Sequence, residues 1–160
     1  MNLGQVYTKE IVADYMVGLF DLPKSSVIID PCFGQGVFIR SLQKANYNNL
    51  IGVEIDPKTF CKINTADYHQ CKLFNMDFFQ FEPQGYVDGF ILNPPYVRQE
   101  EIDEMKNFGV SKASIIKKNW RFSNIFKSKF ISLFYRKMRR FVKNRRSVCC
   151  NFSKCLAEYS

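Results

Sequence analysis

SSVIIDPCFGQG, residues 25–36, is a short apolar run that ends on an acid and breaks at once, through Pro31, into a turn built on Gly34 and Gly36. An apolar run bounded by polar residues and a proline predicts a buried strand. The glycines predict a sharp turn that lets backbone approach a ligand closely, and residues 36–44 then predict a helix. Strand, loop, helix is the repeating unit of a parallel α/β sheet. The unit recurs downstream: NLIGVEI (49–55) reads as a second strand, after which Asp56 can cap and Pro57 can open a helix running toward Asn64. CKLFNM (71–76) and VDGFILN (87–93) read as third and fourth strands. Runs such as VIID and FILN are near-continuously apolar, as expected of strands covered on both faces. Upstream, TKEIVADYMVGLF (8–20) sets Ile11, Val12, Tyr15, Met16 and Leu19 at three- and four-residue spacings, with Thr8 available as an N-cap. That spacing predicts an amphipathic helix.

In such a sheet ligands bind beyond the carboxyl ends of the strands. The expected ends carry Asp30, Glu54, Asp77 and Asn93, four polar groups that packing alone does not call for. Glu54, 18 positions after Gly36, can accept hydrogen bonds from ribose hydroxyls. Asp77 can accept from the amino group of an adenine, with Phe78 packing against the ring. Each of these taken singly has an ordinary structural reading as a connecting turn or a solvated acid.

NPPY, residues 93–96, is sharper. Two prolines fix the backbone directly after a buried strand, so the Asn93 side chain and the Pro94 carbonyl can be held rigidly toward one point, with Tyr96 offering a stacking face. An exocyclic amine conjugated to a heteroaromatic ring is a poor nucleophile because its lone pair is delocalised. Two oxygen acceptors, one for each N–H, favour a pyramidal nitrogen and aim its lone pair at an electrophilic methyl group held about 3–3.5 Å away. No strong base is required.

VYTKEIVADYMVGLF, DPCFGQGVF, GVEID, MDF and NPPY, in that order, together resemble the N6-adenine-specific DNA methyltransferases of restriction-modification systems, in the arrangement where the N-terminal helix motif precedes the glycine-rich motif. The resemblance covers residues 4 to about 98. It implies a Rossmann-like class I S-adenosylmethionine-dependent methyltransferase fold, with S-adenosyl-L-methionine as cofactor. It implies further that Tyr7, Thr8, Asp30, Pro31, Gly34, Gly36, Phe38, Glu54, Ile55, Asp77 and Phe78 line the cofactor pocket. Asn93, Pro94, Pro95 and Tyr96 would form the catalytic loop. That loop would receive an adenine flipped out of double-stranded DNA. Possible partners implied are a restriction nuclease or a complementary methyltransferase fragment.

Charge divides the chain. Residues 1–105 hold 8 Lys+Arg against 14 Asp+Glu, whereas residues 106–160 hold 15 Lys+Arg against Glu158 alone. Residues 116–160 also lack Gly and Pro, so the turns of further βα units are not signalled. Phe122, Phe126, Phe130, Phe134 and Met138 recur every fourth position and predict a basic amphipathic helix. The expectation is therefore two regions, 1–105 as the N-terminal part of a methyltransferase domain and 106–160 as a basic, Phe-rich tail, with the sheet incomplete on its C-terminal side; if a strand that normally pairs beside VDGFILN is absent, that edge is bare. Three readings of the tail compete: an arm neutralising DNA phosphates, a membrane-surface or partner-binding helix, and a frame-shifted or truncated remnant of a longer enzyme with little activity alone.

The six cysteines form no CxxC pair and there is one histidine, so neither a metal site nor a disulfide framework is expected. No signal segment or apolar run of spanning length is present, which predicts a soluble cytoplasmic protein with no membrane partner. Two rival functions stay open. In one, the acceptor is guanine in ribosomal RNA or a glutamine side chain, since enzymes acting on those also use an Asn-Pro-Pro-aromatic loop. Alternatively the chain is a non-catalytic DNA-binding protein with a degenerate pocket.

Overall fold

In the computed structural model, which describes residues 8–93, 129–142 and 148–150, VIID becomes strand β1 (Val27–Asp30) and the run from residue 49 becomes β2 (Asn49–Glu54). Cys71–Asn75 forms β3 and Gly89–Leu92 forms β4. A further strand, β5 (Val148–Cys150), lies in the basic segment. All pairings are parallel, in the order β3-β2-β1-β4-β5. The chain steps outward from β1 to β3, then returns to the other side of β1, which makes the gap between β1 and β4 the switch point where a crevice opens.

Helix α1 (Glu10–Gly18) and helix α2 (Val37–Lys44) cover one face of the sheet. Ile28, Leu50 and Ile91 point into that layer and meet Ala13, Met16, Val17, Phe38, Ile39 and Leu42. Their strand neighbours Ile29, Phe90 and Leu92 point the other way, as the two-residue period of a strand demands. There they pack with Phe78, Phe79, Phe81, Phe134 and Met138. Helix α3 is a single turn, Pro57–Phe60, capped by Asp56 through its bond from the Lys58 amide at 3.0 Å. A 3-10 turn, Thr65–Tyr68, follows and leads into β3.

Two expectations are corrected. The Asp77-side core layer is completed by helix α4 (Lys129–Phe141), whose Phe134 and Met138 are buried, and β5 pairs with β4 in the register Phe90 to Val148 and Leu92 to Cys150. A βα unit therefore does follow NPPY, and the β4 edge is covered rather than bare. Glycine and proline signals missed it because α4 reads as a long basic helix until its partners, the side chains of Phe78, Phe79 and Phe81, are in place. Phe122 and Phe126 lie outside the described residues.

The second correction concerns α1. Its buried side is Ala13, Met16 and Val17, while Ile11, Tyr15 and Leu19, which share the predicted amphipathic spacing with Met16, are 76%, 69% and 60% exposed. The helix carries two apolar stripes, and spacing alone does not say which one meets the sheet. No helix among the described residues is long and apolar enough to cross a membrane.

Candidate cofactor and catalytic site

The glycine-rich turn crosses the carboxyl ends of β1 and β2 and is pinned there by backbone. The Phe33 amide donates to the Val53 carbonyl at 3.0 Å, and the Gly36 amide donates to the Phe33 carbonyl at 2.7 Å. Gly34 and Gly36 both have positive φ, 53° and 73°. At Gly36 the need for glycine is twofold, because an added Cβ would lie 2.5 Å from both Phe33 Cζ and the Tyr68 hydroxyl. The ring of Phe33 also fills the space where a side chain at Gly52 would stand.

Glu54 reaches into this turn from the end of β2. Its Oε2 accepts from the Gly34 amide at 2.7 Å and its Oε1 from the Asp56 amide at 2.8 Å. Each oxygen has a second lone pair for a ligand hydroxyl. Burial pushes the Glu54 carboxyl above its ordinary range, with the amides of Asp56 and Gly34 opposing. Asp30, at the end of β1, is 0% exposed. Its Oδ1 accepts from the Cys32 amide at 3.0 Å, while its Oδ2 has no hydrogen-bond partner among the described residues. Burial pushes its pKa up to about 8. A buried carboxyl oxygen with no partner is costly unless something supplies a donor. This orphaned oxygen, beside a glycine cradle, fits a ligand that brings a cationic nitrogen and a ribose to neighbouring strand ends.

Asn93 directly follows β4, across the switch point from Asp30. Its Nδ2 donates to the Thr8 hydroxyl at 3.0 Å, which sets the orientation of the amide. Thr8 thus serves the strand end instead of capping α1, whose N-cap is Lys9 without a side-chain bond. Helix α1 is in turn held to α2 by Ser41 donating to Asp14 at 2.5 Å and by the Lys44–Glu10 ion pair. Asp77 lies two residues past β3, and its Oδ1 accepts from the Phe79 amide at 2.9 Å.

The structure therefore gathers Thr8, Asp30, Pro31, Gly34, Gly36, Glu54, Ile55, Asp77 and Asn93 at the carboxyl edge of the sheet. Phe38 and Phe78 are placed in the two core layers, each 3% exposed. The Phe78 ring stacks on Phe134 at 5.2 Å rather than presenting a face to a ligand, because a run of aromatic residues after β3 buries itself first. Tyr7, Pro94, Pro95 and Tyr96 lie outside the described residues.

Sequence reasoning missed Tyr68 and Arg40. The Tyr68 hydroxyl donates to the Gln35 carbonyl at 3.1 Å, and Arg40 Nη1 donates to the same carbonyl and to the Tyr68 oxygen at 2.5 and 2.6 Å. Together they fix the last peptide of the turn. No local signal marks Tyr68, which arrives from 33 residues downstream of Gln35.

No family model matches the chain. It is 32% identical over 117 residues to the type II methyltransferase M.HincII of Haemophilus influenzae, a match covering 73% of this chain and 22% of that protein. The chain thus spans about a fifth of the curated relative's length. Among solved structures, a type I restriction-modification methyltransferase subunit from Streptococcus thermophilus superposes with a TM-score of 0.60 at 20% identity, over 88% of this chain and 32% of that one. A candidate RNA methyltransferase from Pyrococcus horikoshii gives 0.51 at 26% identity, over 59% of this chain and 50% of that one. The fold is the Rossmann-like class I fold of S-adenosylmethionine-dependent methyltransferases, the cofactor of that fold is S-adenosylmethionine, and the resemblance to restriction-modification methyltransferases is borne out.

Proposed function

We propose that this chain carries the cofactor pocket and catalytic strand end of a DNA methyltransferase that modifies the N6 amino group of an adenine flipped out of the duplex. The observation that carries the reading is Asn93. It sits at the carboxyl end of β4 beside the switch point, its amide oriented by Thr8, on the same sheet edge as Asp30 and Glu54. When bound, S-adenosylmethionine supplies an electrophilic methyl group. Asp30 holds the cationic amino-acid end and Glu54 the ribose, with Gly34 and Gly36 allowing close approach. Asp77 accepts from the adenine amine of the cofactor. Asn93 Oδ1 and the Pro94 carbonyl each accept one N–H of the target amine, Tyr96 stacks on the target base, and the proton lost on transfer passes to solvent.

The test is methyl transfer from radiolabelled S-adenosylmethionine to duplex DNA, structured RNA and a glutamine-bearing protein, in parallel with binding of S-adenosylhomocysteine by calorimetry. Label in DNA adenine, lost in Asn93→Ala, is expected. Label in RNA alone would move the acceptor class, a reading that the similarity to the Pyrococcus protein favours. Binding of duplex DNA without any cofactor binding would instead establish a non-catalytic protein.

A further inference from the structure

One lysine from the basic segment is built into the aromatic layer beneath the sheet. Lys137, on α4, is 7% exposed and faces the aromatic layer with Phe134 and Met138. Its Nζ donates to the Phe79 carbonyl at 2.9 Å and to Glu82 Oε1 at 3.3 Å, and lies 5.4 Å from the centre of the Phe78 ring. An ammonium in an apolar layer carries a desolvation cost that a methionine of similar length would avoid. The bonds it makes indicate what that cost secures.

Residues 77–81 form one hydrogen-bonded turn. The Asp77 carbonyl accepts from the amides of Gln80 and Phe81, and the Asp77 carboxylate accepts from the Phe79 amide. Phe79 is thus held from both sides, its N–H by Asp77 and its carbonyl by Lys137.

We propose that Lys137 is a positioning residue for the adenosyl end of the cofactor: by anchoring the Phe79 carbonyl from beneath, it fixes the 77–81 turn so that the Asp77 carboxylate meets the exocyclic amine of adenine. The inference rests on the reading of Asp77 given above. Hydrogen bonds of this kind hold only when the acceptor is fixed to within a fraction of an ångström, which the local bonds of one turn do not ensure by themselves. The segment 106–160 then contributes to the pocket through its core-facing lysine rather than through its surface charge.

The experiment compares the full chain with Lys137→Met and Lys137→Arg, measuring affinities for S-adenosylhomocysteine and for S-inosylhomocysteine, in which a ring carbonyl replaces the amine. Circular dichroism melts are recorded alongside. The native chain is expected to prefer the adenosyl ligand roughly tenfold. Lys137→Met is expected to fold, to leave the inosyl affinity unchanged and to bring the ratio to about one, with Lys137→Arg recovering part of it. An unchanged ratio in folded Lys137→Met overturns the proposal while leaving the cofactor site standing. A native chain that binds both ligands equally overturns the reading of Asp77, and one that binds neither overturns the cofactor site itself. Should Lys137→Met fail to fold, Glu82→Ala serves, because it removes the half-exposed partner of the ammonium and leaves the core intact. A fall of roughly twofold in the ratio is expected there, and no fall overturns the proposal.

Discussion

Asp30 is the residue whose environment departs furthest from what its position in the chain suggests. Its carboxyl is pushed up to about 8 by burial, far above the value it has in an unfolded chain. Between those values the folded state holds a proton that the unfolded state has lost, so this group makes stability fall as pH rises from about 4 to about 8 and level off above. Burial acts on Glu54 with the same sign. Asp30→Asn is expected to abolish cofactor binding yet to raise the melting temperature of the ligand-free chain at pH 8, with the gain nearly gone at pH 4. A gain of roughly 2–4 kcal/mol at the higher pH is expected from thermal melts across the range. The glycines can be ranked by the same reasoning. Gly36→Ala meets Phe33 and Tyr68 as well as an unfavourable φ, whereas the nearest atom at Gly34 is a carbonyl 3.8 Å away. Denaturant titration should show a cost of about 3 kcal/mol or more for Gly36→Ala and about 1 kcal/mol for Gly34→Ala. The acids at the strand ends and the glycines were legible in the sequence, because a strand must end somewhere and these residues mark where. Tyr68, Arg40 and Lys137 were not, since each acts on a carbonyl brought to it only by folding.

At the scale of elements, α4 decides most. Its carboxyl end lies at the start of β4, where the Val87 amide donates to the Phe141 carbonyl at 3.0 Å and Val87 bridges Val142. The exposed Arg139 and Arg140 are therefore at the end of the sheet opposite Asn93. Removing residues 129–160 is expected to expose Phe78, Phe90, Leu92 and Val87, and so to give aggregation and loss of the cooperative melt. A soluble, cooperatively folding fragment that had merely lost affinity for DNA would show instead that the segment is an appended arm. Helix α1 makes the complementary case. Its stripe of Ile11, Tyr15 and Leu19 contributes little to this fold, so Tyr15→Glu should change stability by no more than about 0.5 kcal/mol, whereas Met16→Ala, on the buried side, should cost about 2–3 kcal/mol in the same titration.

Over the whole molecule, two apolar layers share one parallel sheet; α4 belongs to the layer beneath Asp77, and β5 extends the sheet beside β4. Heat unfolding followed by circular dichroism is expected to show a single transition, with α4 lost together with the sheet; two separated transitions would mean that the basic segment folds independently. Apolar runs, glycines and prolines act locally, through backbone freedom and the two-residue period of a strand, so the sequence by itself determined four strands, the glycine-rich turn and the polar strand ends. It also determined that Asn93 stands at the end of the fourth strand. Three matters depended on tertiary structure: which stripe of α1 turns inward, that a segment with neither Gly nor Pro supplies a fifth strand, and that a lysine from it supports the Asp77 turn. Each of these is a contest between faces or partners distant in the chain, settled by which arrangement buries more apolar surface while leaving fewer polar groups unpaired.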